Sequence, residues 1–225
     1  MLYPLQEAGY IDIQRGTKEP GRGAKPFYVL AAAKLEADLV IPILEQIESQ
    51  IGADIRPLLR KPLSEILQEM EVTDKHIRGL ALEALAFKLM RLVDLDYVAT
   101  RLRGDATGGA EVDLIFESAR LVFSRWQIQC KNVAGGVSLD DVAKEVGLTH
   151  MLKSNVVVMV STGKIGPKAK QYANKVMQDS NLDIVLIDRG DLEQIKDRPA
   201  HIVEVLYREA KTAMKLKTLD IGTET

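Results

Sequence analysis

The sequence is poor in cysteine, in aromatic residues and in long apolar segments. One cysteine among 225 residues allows no internal disulfide bond, so a reducing cytoplasm is the expected location. The aromatic content of 5% is low for a soluble protein. No apolar run approaches the roughly 18–20 residues needed to span a bilayer. The N-terminal residues MLYPLQEAGYID lack the basic and apolar regions of a signal peptide. We therefore predict no membrane association.

The length fits one good-sized domain, or one domain with an appendage. The net charge of −2 argues against a DNA-binding surface that covers the whole molecule, but a local basic face remains compatible with it. A solvated charged surface is the alternative for every basic cluster. The basic residues that we predict to contact DNA lie in three clusters: Arg15, Lys18, Arg22 and Lys25; Arg101 and Arg103; and Lys164 and Lys168, with Lys170 beside them.

Residues 1–33 have the pattern of a short helix followed by a β-hairpin. LYPLQEAGYIDIQRG begins as a helix and then alternates like a strand, and PFYVLA returns as a second strand. The intervening KEPGRGAK is rich in glycine, proline and basic residues, which suits a turn. This arrangement resembles the last helix and the wing of a winged-helix DNA-binding module. A hairpin that covers the core is the alternative. The first helices of such a module have no room before Met1, so we expect a fragment or an internal start.

Residues 34–72 are predicted to form a helical connector. Apolar residues recur every four positions in its first part and form one stripe along a helix: Leu35, Leu39, Ile43, Ile47 and Ile51. Pro42 is expected to kink this helix. The segment PLSEILQEMEV (62–72) repeats the pattern more briefly. The stripe is predicted either to be buried within the chain or to form the seam of a homodimer.

From Thr73 onwards the pattern is that of an α/β domain, which we place at residues 73–225. Thr73 or Asp74 can cap a helix that runs to about Leu92. An arginine- and glycine-containing loop, RLRGDATGGA, precedes two segments of strand composition, AEVDLIFE and RWQIQCKN. These segments predict a helix, a loop and a pair of strands.

The rest of this domain alternates helices and strands. Ser138 and Asp141 resemble a capping box, with aspartate in place of glutamate, that opens a helix to about Leu152. NVVVMVS is a continuous β-branched run, typical of a strand buried on both faces. The elements predicted after this helix are a strand at 155–161, a helix at about 166–178, a strand at 182–188, and helices at about 190–197 and 200–216. This order predicts a mixed β-sheet flanked by helices.

Two of the predicted strands carry polar residues suited to metal-dependent phosphodiester chemistry. Asp113 lies near the start of one strand, and the triplet Gln129-Cys130-Lys131 lies on the next. Side chains alternate between the two faces of a strand, so Gln129 and Lys131 share one face. Asp113 lies on the polar side of its own strand, and we expect both strands to be half-buried with these residues on the open face. Oxygen ligands beside an ammonium meet the needs of Mg²⁺ and a substrate phosphate.

Whether Asp113 meets Gln129 depends on the register of the two strands. Directly opposed residues in an antiparallel pair lie on the same face. A two-residue turn (118–119) would place Asp113 opposite Ser124 and direct it away from Gln129. A connection of about seven residues (118–124) would place Asp113 opposite Gln129, and a β-bulge would also correct the shorter register. The sequence leaves these alternatives open.

This constellation resembles the PD-(D/E)xK nuclease superfamily and, within it, the Mrr-like restriction endonucleases, which use glutamine at the middle position. The resemblance covers roughly Arg78 to Lys196. It includes the helix RGLALEALAFKLM with Glu83, the strands with Asp113 and QCK, and the α/β units that follow. Val112 stands where the superfamily name implies proline, and the GDATGG loop is longer than the family's usual turn. The resemblance implies a restriction-endonuclease-like mixed sheet, preceded by a partial winged-helix hairpin and the helical connector.

The resemblance also implies roles for individual residues. Asp113 would hold Mg²⁺ through its carboxylate, Gln129 through its amide oxygen and Cys130 through its backbone carbonyl, with Mn²⁺ as a substitute. Lys131 would orient the attacking water and stabilise charge on the phosphate. Glu83 would act through a metal-bound water or by pairing with Lys131. Glutamine in place of the more common glutamate removes one negative charge, so we expect weak affinity for Mg²⁺.

The implied function is hydrolysis of double-stranded DNA by an endonuclease of restriction type, with or without dependence on DNA modification. Cutting both strands needs two sites, so a homodimer is expected. A junction-resolving nuclease is one alternative function, and a DNA-binding protein whose nuclease core no longer cuts is another. At the level of single residues, Asp113 and Lys131 forming a simple ion pair, and Glu83 forming a surface salt bridge, are alternatives to catalytic roles.

Other residues indicate what the site does not use. Cys130 is predicted to be a small core residue and not a nucleophile. STGKIGPK (161–168) lacks the leading glycine of a phosphate-binding loop, so we predict no binding of nucleoside triphosphates. The histidines are scattered along the chain and predict no zinc site: His76, His150 and His201.

Overall fold

The chain divides into two units, Met1–Gln50 and Ile51–Thr225. The computed structural model describes residues 6–7, 9, 11–15, 26–31, 34, 60–102, 109, 111–118 and 123–217. The predicted connector stripe between Leu35 and Ile51, with Pro42, lies outside these residues. The predicted domain boundaries after residues 33 and 72 stay predictions. Among the described helices, none combines the length and the hydropathy that a membrane span requires.

The N-terminal unit contains the predicted β-hairpin. β1 (Ile11–Arg15) pairs antiparallel with β2 (Pro26–Leu30). Period-2 alternation in IDIQR and the aromatic and β-branched residues of PFYVL favour these strands. The hairpin is confirmed, and its assignment as a DNA-binding wing stays a prediction. Of the predicted DNA contacts in this unit, Arg15 is described in its backbone only, and Lys18, Arg22 and Lys25 lie outside the described residues.

Within the described part of the second unit, the first two elements are helices. α1 (Leu63–Glu69) confirms the helical pattern of residues 62–72 and buries Ile66 and Leu67. α2 (Lys75–Leu92) begins after Asp74, whose Oδ1 accepts hydrogen bonds from the backbone N–H groups of His76 and Ile77 at 2.8 and 3.1 Å. This cap satisfies backbone donors that a helix N-terminus leaves unpaired. The predicted helix to Leu92 is confirmed.

Five strands form the sheet of the second unit, in the order β3–β4–β5–β6–β7. They are β3 (Asp96–Leu102), β4 (Val112–Ser118), β5 (Ser124–Lys131), β6 (Val156–Ser161) and β7 (Asp183–Ile187). The pairs β3–β4 and β4–β5 are antiparallel, whereas β5–β6 and β6–β7 are parallel. The mixed sheet is therefore confirmed. The element order predicted from the sequence was incomplete, because β3 precedes the Arg/Gly loop and includes Arg101.

Four further helices follow the predicted order. They are α3 (Leu139–Leu152), α4 (Pro167–Asp179), α5 (Arg189–Asp197) and α6 (His201–Leu216). The capping box at Ser138 and Asp141 is present at the start of α3. Every residue of β6 is buried, as its β-branched run predicts. A core between the sheet and its helices joins Val142 of α3, Ala173 of α4, Met159 of β6 and Ala213 of α6.

Helices cover β4 and β5 on both faces. α2 contacts both of these strands, and α3 contacts β5 and β6. Phe116 of β4 packs against Phe87 of α2, with ring centroids 5.5 Å apart. Ile115, the next residue along β4, packs with Leu148 and Leu152 of α3. The expectation of half-buried strands with an open polar face was therefore wrong: Asp113 and Gln129 are each only 7% exposed.

The register of β4 and β5 decides between the alternatives left open by the sequence. Ser118 pairs with Ser124, and Leu114 pairs with Ile128. One further step along this register places Asp113 opposite Gln129. The longer connection is therefore the one present, and the pairing of β4 with β5 contains no register shift between these residues. A register shift does occur between β3 and β4, at Tyr97 and Ala99.

The loops after β5 and β6 are joined by close backbone contacts. Val137 N–H donates to Lys164 O at 2.9 Å, and Gly166 N–H donates to Val137 O at 3.1 Å. A Cβ atom on Gly163 would lie 2.6 Å from the carbonyl oxygen of Val133, so only glycine fits there. Gly136 has a φ of +96°, a conformation that glycine adopts without strain. These contacts fix the loop that leads from β5 into α3.

Candidate active site

Asp113 and Gln129 meet across β4 and β5. Gln129 Nε2 donates a hydrogen bond of 2.8 Å to Asp113 Oδ2. The backbone N–H of Cys130 donates one of 2.7 Å to the same oxygen. Two donors on one oxygen hold the carboxylate in a fixed orientation and leave Oδ1 for another partner. The structure therefore brings these two predicted site residues together.

The Asp113 carboxyl is buried, and burial disfavours its ionised form. Burial raises its pKa to about 6, although the Cys130 N–H and the charges of Arg101 and Lys131 act in the opposite direction. Glu111 adds to the increase. The group is still ionised at neutral pH, because that pH lies above the raised pKa. A buried carboxylate kept charged in this way favours the approach of a cation.

Gln129 has a buried oxygen with no hydrogen-bond partner. Its Nε2 is committed to Asp113, and its Oε1 is buried without a donor. Buried amide oxygens are rarely left unpaired, because the loss of hydration is then uncompensated. A hard cation would supply the missing partner, since Mg²⁺ and related ions bind carboxylate, amide and carbonyl oxygens. The residues present thus fit a divalent metal ion.

The backbone carbonyl of Cys130 points to the same side of β5 as Asp113. In a strand, the N–H and C=O of one residue point to the same neighbouring strand. Cys130 N–H points to Asp113, whereas the carbonyl of Lys131 accepts from Thr162 N–H on the opposite side, at 3.1 Å. The described residues contain no cluster of three or more His, Cys, Asp or Glu side chains that could hold a metal. A metal at this site would depend on amide and carbonyl oxygens.

The thiol of Cys130 faces α2, away from the carboxylate of Asp113. Cys130 Sγ lies 4.0 Å from the backbone oxygen of Leu82. Burial, followed by the charges of Asp113 and Glu83, raises the pKa of this thiol well above its ordinary value. The thiolate needed for nucleophilic attack is therefore disfavoured. The Cys130 residue as a whole is only partly buried, so its assignment as a core residue stays a prediction.

Lys131 lies on the same face of β5 as Gln129 and reaches α3. Its Nζ forms an ion pair with Asp141 Oδ1 at 2.9 Å. The ion-pair partner of Lys131 is therefore neither Glu83 nor Asp113, the two partners that the sequence left open as alternatives. The sequence identified Asp141 only as part of a capping box. Its contact with Lys131 depends on the path of the loop between β5 and α3, which has no sequence signal.

Glu83 on α2 is paired with Arg101 at the end of β3. The guanidinium donates to both carboxylate oxygens, from Nε at 3.1 Å and from Nη2 at 3.2 Å. The Glu83 side chain is 14% exposed, so this pair is not the surface salt bridge considered as an alternative. Burial and the charges of Asp113 and Glu111 raise the pKa of Glu83 to about 8.

Two of the other predicted DNA contacts are exposed lysines of the second unit. Arg103 lies outside the described residues. Lys164, after β6, and Lys168, in the first turn of α4, are exposed. Lys170 forms an ion pair with Asp188 at 3.4 Å. The exposed Lys164 and Lys168 side chains stay predicted DNA contacts.

Asn132 ties the end of β5 to the start of α2. Its Oδ1 accepts from Arg78 Nε at 3.1 Å and from Thr162 Oγ1 at 3.2 Å. Its Nδ2 donates to the backbone oxygen of Lys75 at 3.0 Å. This bridge was not predicted from the sequence, where its only signal is the polar residue directly after QCK. It fixes the strand end that carries Lys131.

A second buried polar group lies beside the site, between β5 and α3. Gln127 Nε2 donates to the backbone oxygen and to Oε2 of Glu145, at 2.9 and 3.3 Å, and Ser154 Oγ donates to Gln127 Oε1. Glu145 is fully buried. Burial raises the pKa of its carboxyl to about 7, although the charges of Lys144 and Lys131 act in the opposite direction. Glu145 was not predicted from the sequence as part of the site.

Replacing Glu145 by glutamine is expected to stabilise the protein at neutral and alkaline pH but not in acid. Because the pKa of Glu145 is raised on folding, its ionised form costs stability, and that cost develops as pH rises from about 4.5 through 7. The melting temperature of the variant should exceed that of the wild type by roughly 5 °C above about pH 7 and match it near pH 4. Glu193→Gln, at an exposed position of α5, is the control. An increase that is the same at both pH values would contradict the buried charge.

The sequence model of a restriction endonuclease family, Mrr_cat, matches residues 75–195, which is more than half of the chain. The chain belongs to this family. The match begins at the first residue of α2 and ends within α5, so it contains the proposed site residues and the sheet. Membership in the Mrr_cat family identifies the chain as restriction-endonuclease-like, and enzymes of this kind generally use divalent metal ions.

Solved structures similar to this Mrr_cat chain include two restriction endonucleases. "DNA modification-dependent restriction endonuclease AspBHI" has 13% identity and a TM-score of 0.43, over 92% of this chain and 62% of that one. "MspJI Restriction Endonuclease in Complex with 27-mer Oligonucleotide" has 20% identity and a TM-score of 0.38, over 72% and 37%. AF1548, a protein of unknown function, has 14% identity and a TM-score of 0.40, over 65% and 90%.

This chain thus covers less than two thirds of the length of AspBHI and of MspJI. A search of curated proteins found no match.

Proposed function

We propose that this chain is a Mg²⁺-dependent DNA endonuclease of restriction type, with Asp113, Gln129 and Lys131 as its catalytic residues. The observation that carries this proposal is the buried, unpartnered Oε1 of Gln129 next to the Asp113 carboxylate. Such an oxygen is favourable in a protein interior when a cation binds it. The Mrr_cat family makes phosphodiester hydrolysis the chemistry to test.

The proposed ligands of Mg²⁺ are the Asp113 carboxylate, Gln129 Oε1 and the Cys130 carbonyl, and Mn²⁺ is expected to substitute. When bound, the ion would polarise a phosphoryl oxygen and lower the pKa of its water. Lys131 orients the attacking water and stabilises negative charge on the phosphate through its ammonium. Glu83, held by Arg101, assists through a water at the site.

The proposed substrate is double-stranded DNA in the cytoplasm, cut by a homodimer that brings two sites to the two strands. The exposed Lys164 and Lys168 are proposed to contact DNA phosphates, which fix position without reading sequence. The hairpin β1–β2 and the basic residues of its connection are proposed to lie along the DNA as a wing. We propose a role for Arg101 at the site, because its guanidinium is bound to Glu83.

Incubation of supercoiled plasmid with the purified chain tests this function. Cleavage in millimolar Mg²⁺ or Mn²⁺, its absence in EDTA, and linear product are the expected results. A gel-shift measurement with the same DNA runs in parallel. Retarded but intact plasmid in Mg²⁺ would favour a DNA-binding protein that no longer cuts. Preference for branched DNA over linear duplex would favour a junction-resolving nuclease.

Replacing Gln129 by glutamate is expected to lower the Mg²⁺ concentration for half-maximal cleavage roughly tenfold, because a second carboxylate strengthens a hard-cation site. The same change should destabilise the metal-free protein, since it places a second carboxylate against the buried Asp113. A Mg²⁺ titration of cleavage and a melting curve in EDTA measure the two effects. Gln171→Glu, on the exposed side of α4, is the matched control. An unchanged Mg²⁺ requirement would remove Gln129 from the metal site.

A further inference from the structure

One carboxylate joins the N-terminus of α3 to the proposed catalytic lysine. Asp141 Oδ1 forms the ion pair with Lys131 Nζ at 2.9 Å. Asp141 Oδ2 accepts hydrogen bonds from the backbone N–H of Ser138 at 2.9 Å and from Ser138 Oγ at 2.8 Å. Both oxygens are therefore committed, each to a different part of the structure. The capping box alone occupies only one of them.

The helix end that carries Asp141 is fixed by the loops after β5 and β6. Val137, directly before the cap, is held by two backbone hydrogen bonds, to Lys164 O and from Gly166 N–H. Ser138 Oγ in turn accepts from the Asp141 N–H at 3.2 Å. At the other end of the loop, the Lys131 carbonyl accepts from Thr162 N–H. Asp141 and the backbone of Lys131 are thus held by the same pair of loops.

The ion pair between Lys131 and Asp141 is partly shielded from water. The Lys131 side chain is 22% exposed and that of Asp141 is 30% exposed. Burial acts against ionisation of Asp141, but hydrogen bonds from Ser138 and Lys131 prevail and lower the pKa of its carboxyl to about 2. The carboxylate is therefore present throughout the range in which the protein would act.

We propose that Asp141 is a positioning residue that holds the Lys131 ammonium at the active site, and this inference rests on the proposed nuclease function. A lysine side chain has a flexible four-carbon stem, so a fixed partner reduces the number of positions its ammonium occupies. The ammonium has three donors, so it can keep Asp141 and still contact a phosphate and a water. Preorganisation of this kind lowers the barrier for the chemical step and leaves ground-state binding of DNA unchanged.

Asp141→Asn is the first variant that tests this role. It keeps the shape of the side chain and removes the charge that holds Lys131. We expect kcat to fall roughly 10- to 100-fold, whereas the Kd for DNA, measured in Ca²⁺ by fluorescence anisotropy, stays equal or becomes tighter. Tighter binding is compatible because a negative charge beside the phosphate site is removed. Asp141→Glu, which restores the charge, should recover part of kcat.

Two further variants separate positioning from helix capping. Asp140→Asn removes a carboxylate from the same first turn of α3, at an exposed position, and is expected to cleave DNA like the wild type. Ser138→Ala removes capping hydrogen bonds but retains the carboxylate that meets Lys131. We expect Ser138→Ala to lower the melting temperature about as much as Asp141→Asn does, with a much smaller loss of kcat. In a Lys131→Ala background, Asp141→Asn should cause no further loss.

Three results would overturn the positioning role of Asp141. Equal losses of kcat in Ser138→Ala and Asp141→Asn would overturn the positioning role, because capping would then account for the loss. An Asp141→Asn variant that cleaves like Asp140→Asn would overturn it as well, with the nuclease function left standing. A wild-type protein that binds DNA in Mg²⁺ but cuts none would overturn the nuclease function together with the positioning role.

Discussion

Replacing Asp113 by asparagine is expected to lower the rate of DNA cleavage by at least about 1000-fold, which is about 4 kcal/mol in the activation barrier. The reason is that asparagine keeps the size of the side chain and removes the only carboxylate among the proposed metal ligands. Plasmid cleavage measured in single turnover gives the rate of the chemical step. Asp179→Asn, at an exposed position near the end of α4, is the control and should cut like the wild type.

The same Asp113 variant should be more stable than the wild type when metal is absent. Burial raises the pKa of Asp113 from its ordinary 3.8 to about 6. The ionised form therefore costs stability, a cost that is absent below about pH 4 and complete above about pH 7, on the order of 1–3 kcal/mol. Melting curves in EDTA should show a stabilised variant at pH 8 and equal stabilities near pH 4.

Opposite effects on activity and stability distinguish a functional carboxylate from a structural one. Added Mg²⁺ should raise the melting temperature of the wild type but not that of Asp113→Asn, because only a native state with a binding site gains from the ligand. An Asp113→Asn protein that cleaves DNA within tenfold of the wild type would remove Asp113 from the catalytic site. A variant that is less stable at every pH would contradict the buried, charged state described for this carboxyl.

Gly163→Ala is expected to destabilise the second unit by about 2–3 kcal/mol and to lower its melting temperature by roughly 5–10 °C. The added Cβ atom would lie 2.6 Å from the Val133 carbonyl oxygen and 3.0 Å from the backbone of Gly136. Removing this steric overlap requires the two loops to separate. Their separation is opposed by the hydrogen bonds of Val137 with Lys164 and Gly166. Thermal unfolding followed by circular dichroism measures the effect.

Gly147→Ala is the matched control, because it makes the same chemical change in an open environment. Gly147 lies within α3, and a Cβ atom there would meet nothing within 4 Å. Alanine is favoured over glycine inside a helix by about 0.5–1 kcal/mol, so this variant should be slightly more stable than the wild type. Similar stability for the two alanine variants would show that the loops after β5 and β6 yield easily. The close contact at Gly163 would then have no effect on the free energy of unfolding.

Much of the nuclease core was predictable because its sequence signals are local. The cap at Asp74, the capping box at Ser138 and Asp141, and the β-branched run of β6 all lie within a few residues of the elements they define. The resemblance to Mrr-like enzymes then ordered these elements, and the Mrr_cat match confirmed it. Strand β3 was missed because DYVATRL is half-exposed and has no clear alternation of apolar residues.

The parts of the site that were not predicted depend on contacts between distant segments. The sequence placed Asp113 and Gln129 on polar faces, but α3 covers that face, so both residues are buried. Polar residues become buried when partners satisfy them, and those partners were not visible in the strand pattern. The same reason applies to Arg101, which lies 18 residues from Glu83 in the sequence. Asp141 was recognised as a cap because its capping partner, Ser138, is three residues away. Its contact with Lys131 joins α3 to β5 and has no such local signal.

The position of each strand in the sheet has a consequence for local fluctuations. β5 lies between β4 and β6, whereas β3 stands at the end of the strand order. Outer strands open at lower free energy than central ones, and their amide hydrogens exchange with solvent sooner. Asp113 and Gln129 therefore belong to the part of the core that opens last. Arg101 lies on an outer strand, so fraying of β3 can release Glu83 from its guanidinium while β4 and β5 stay paired.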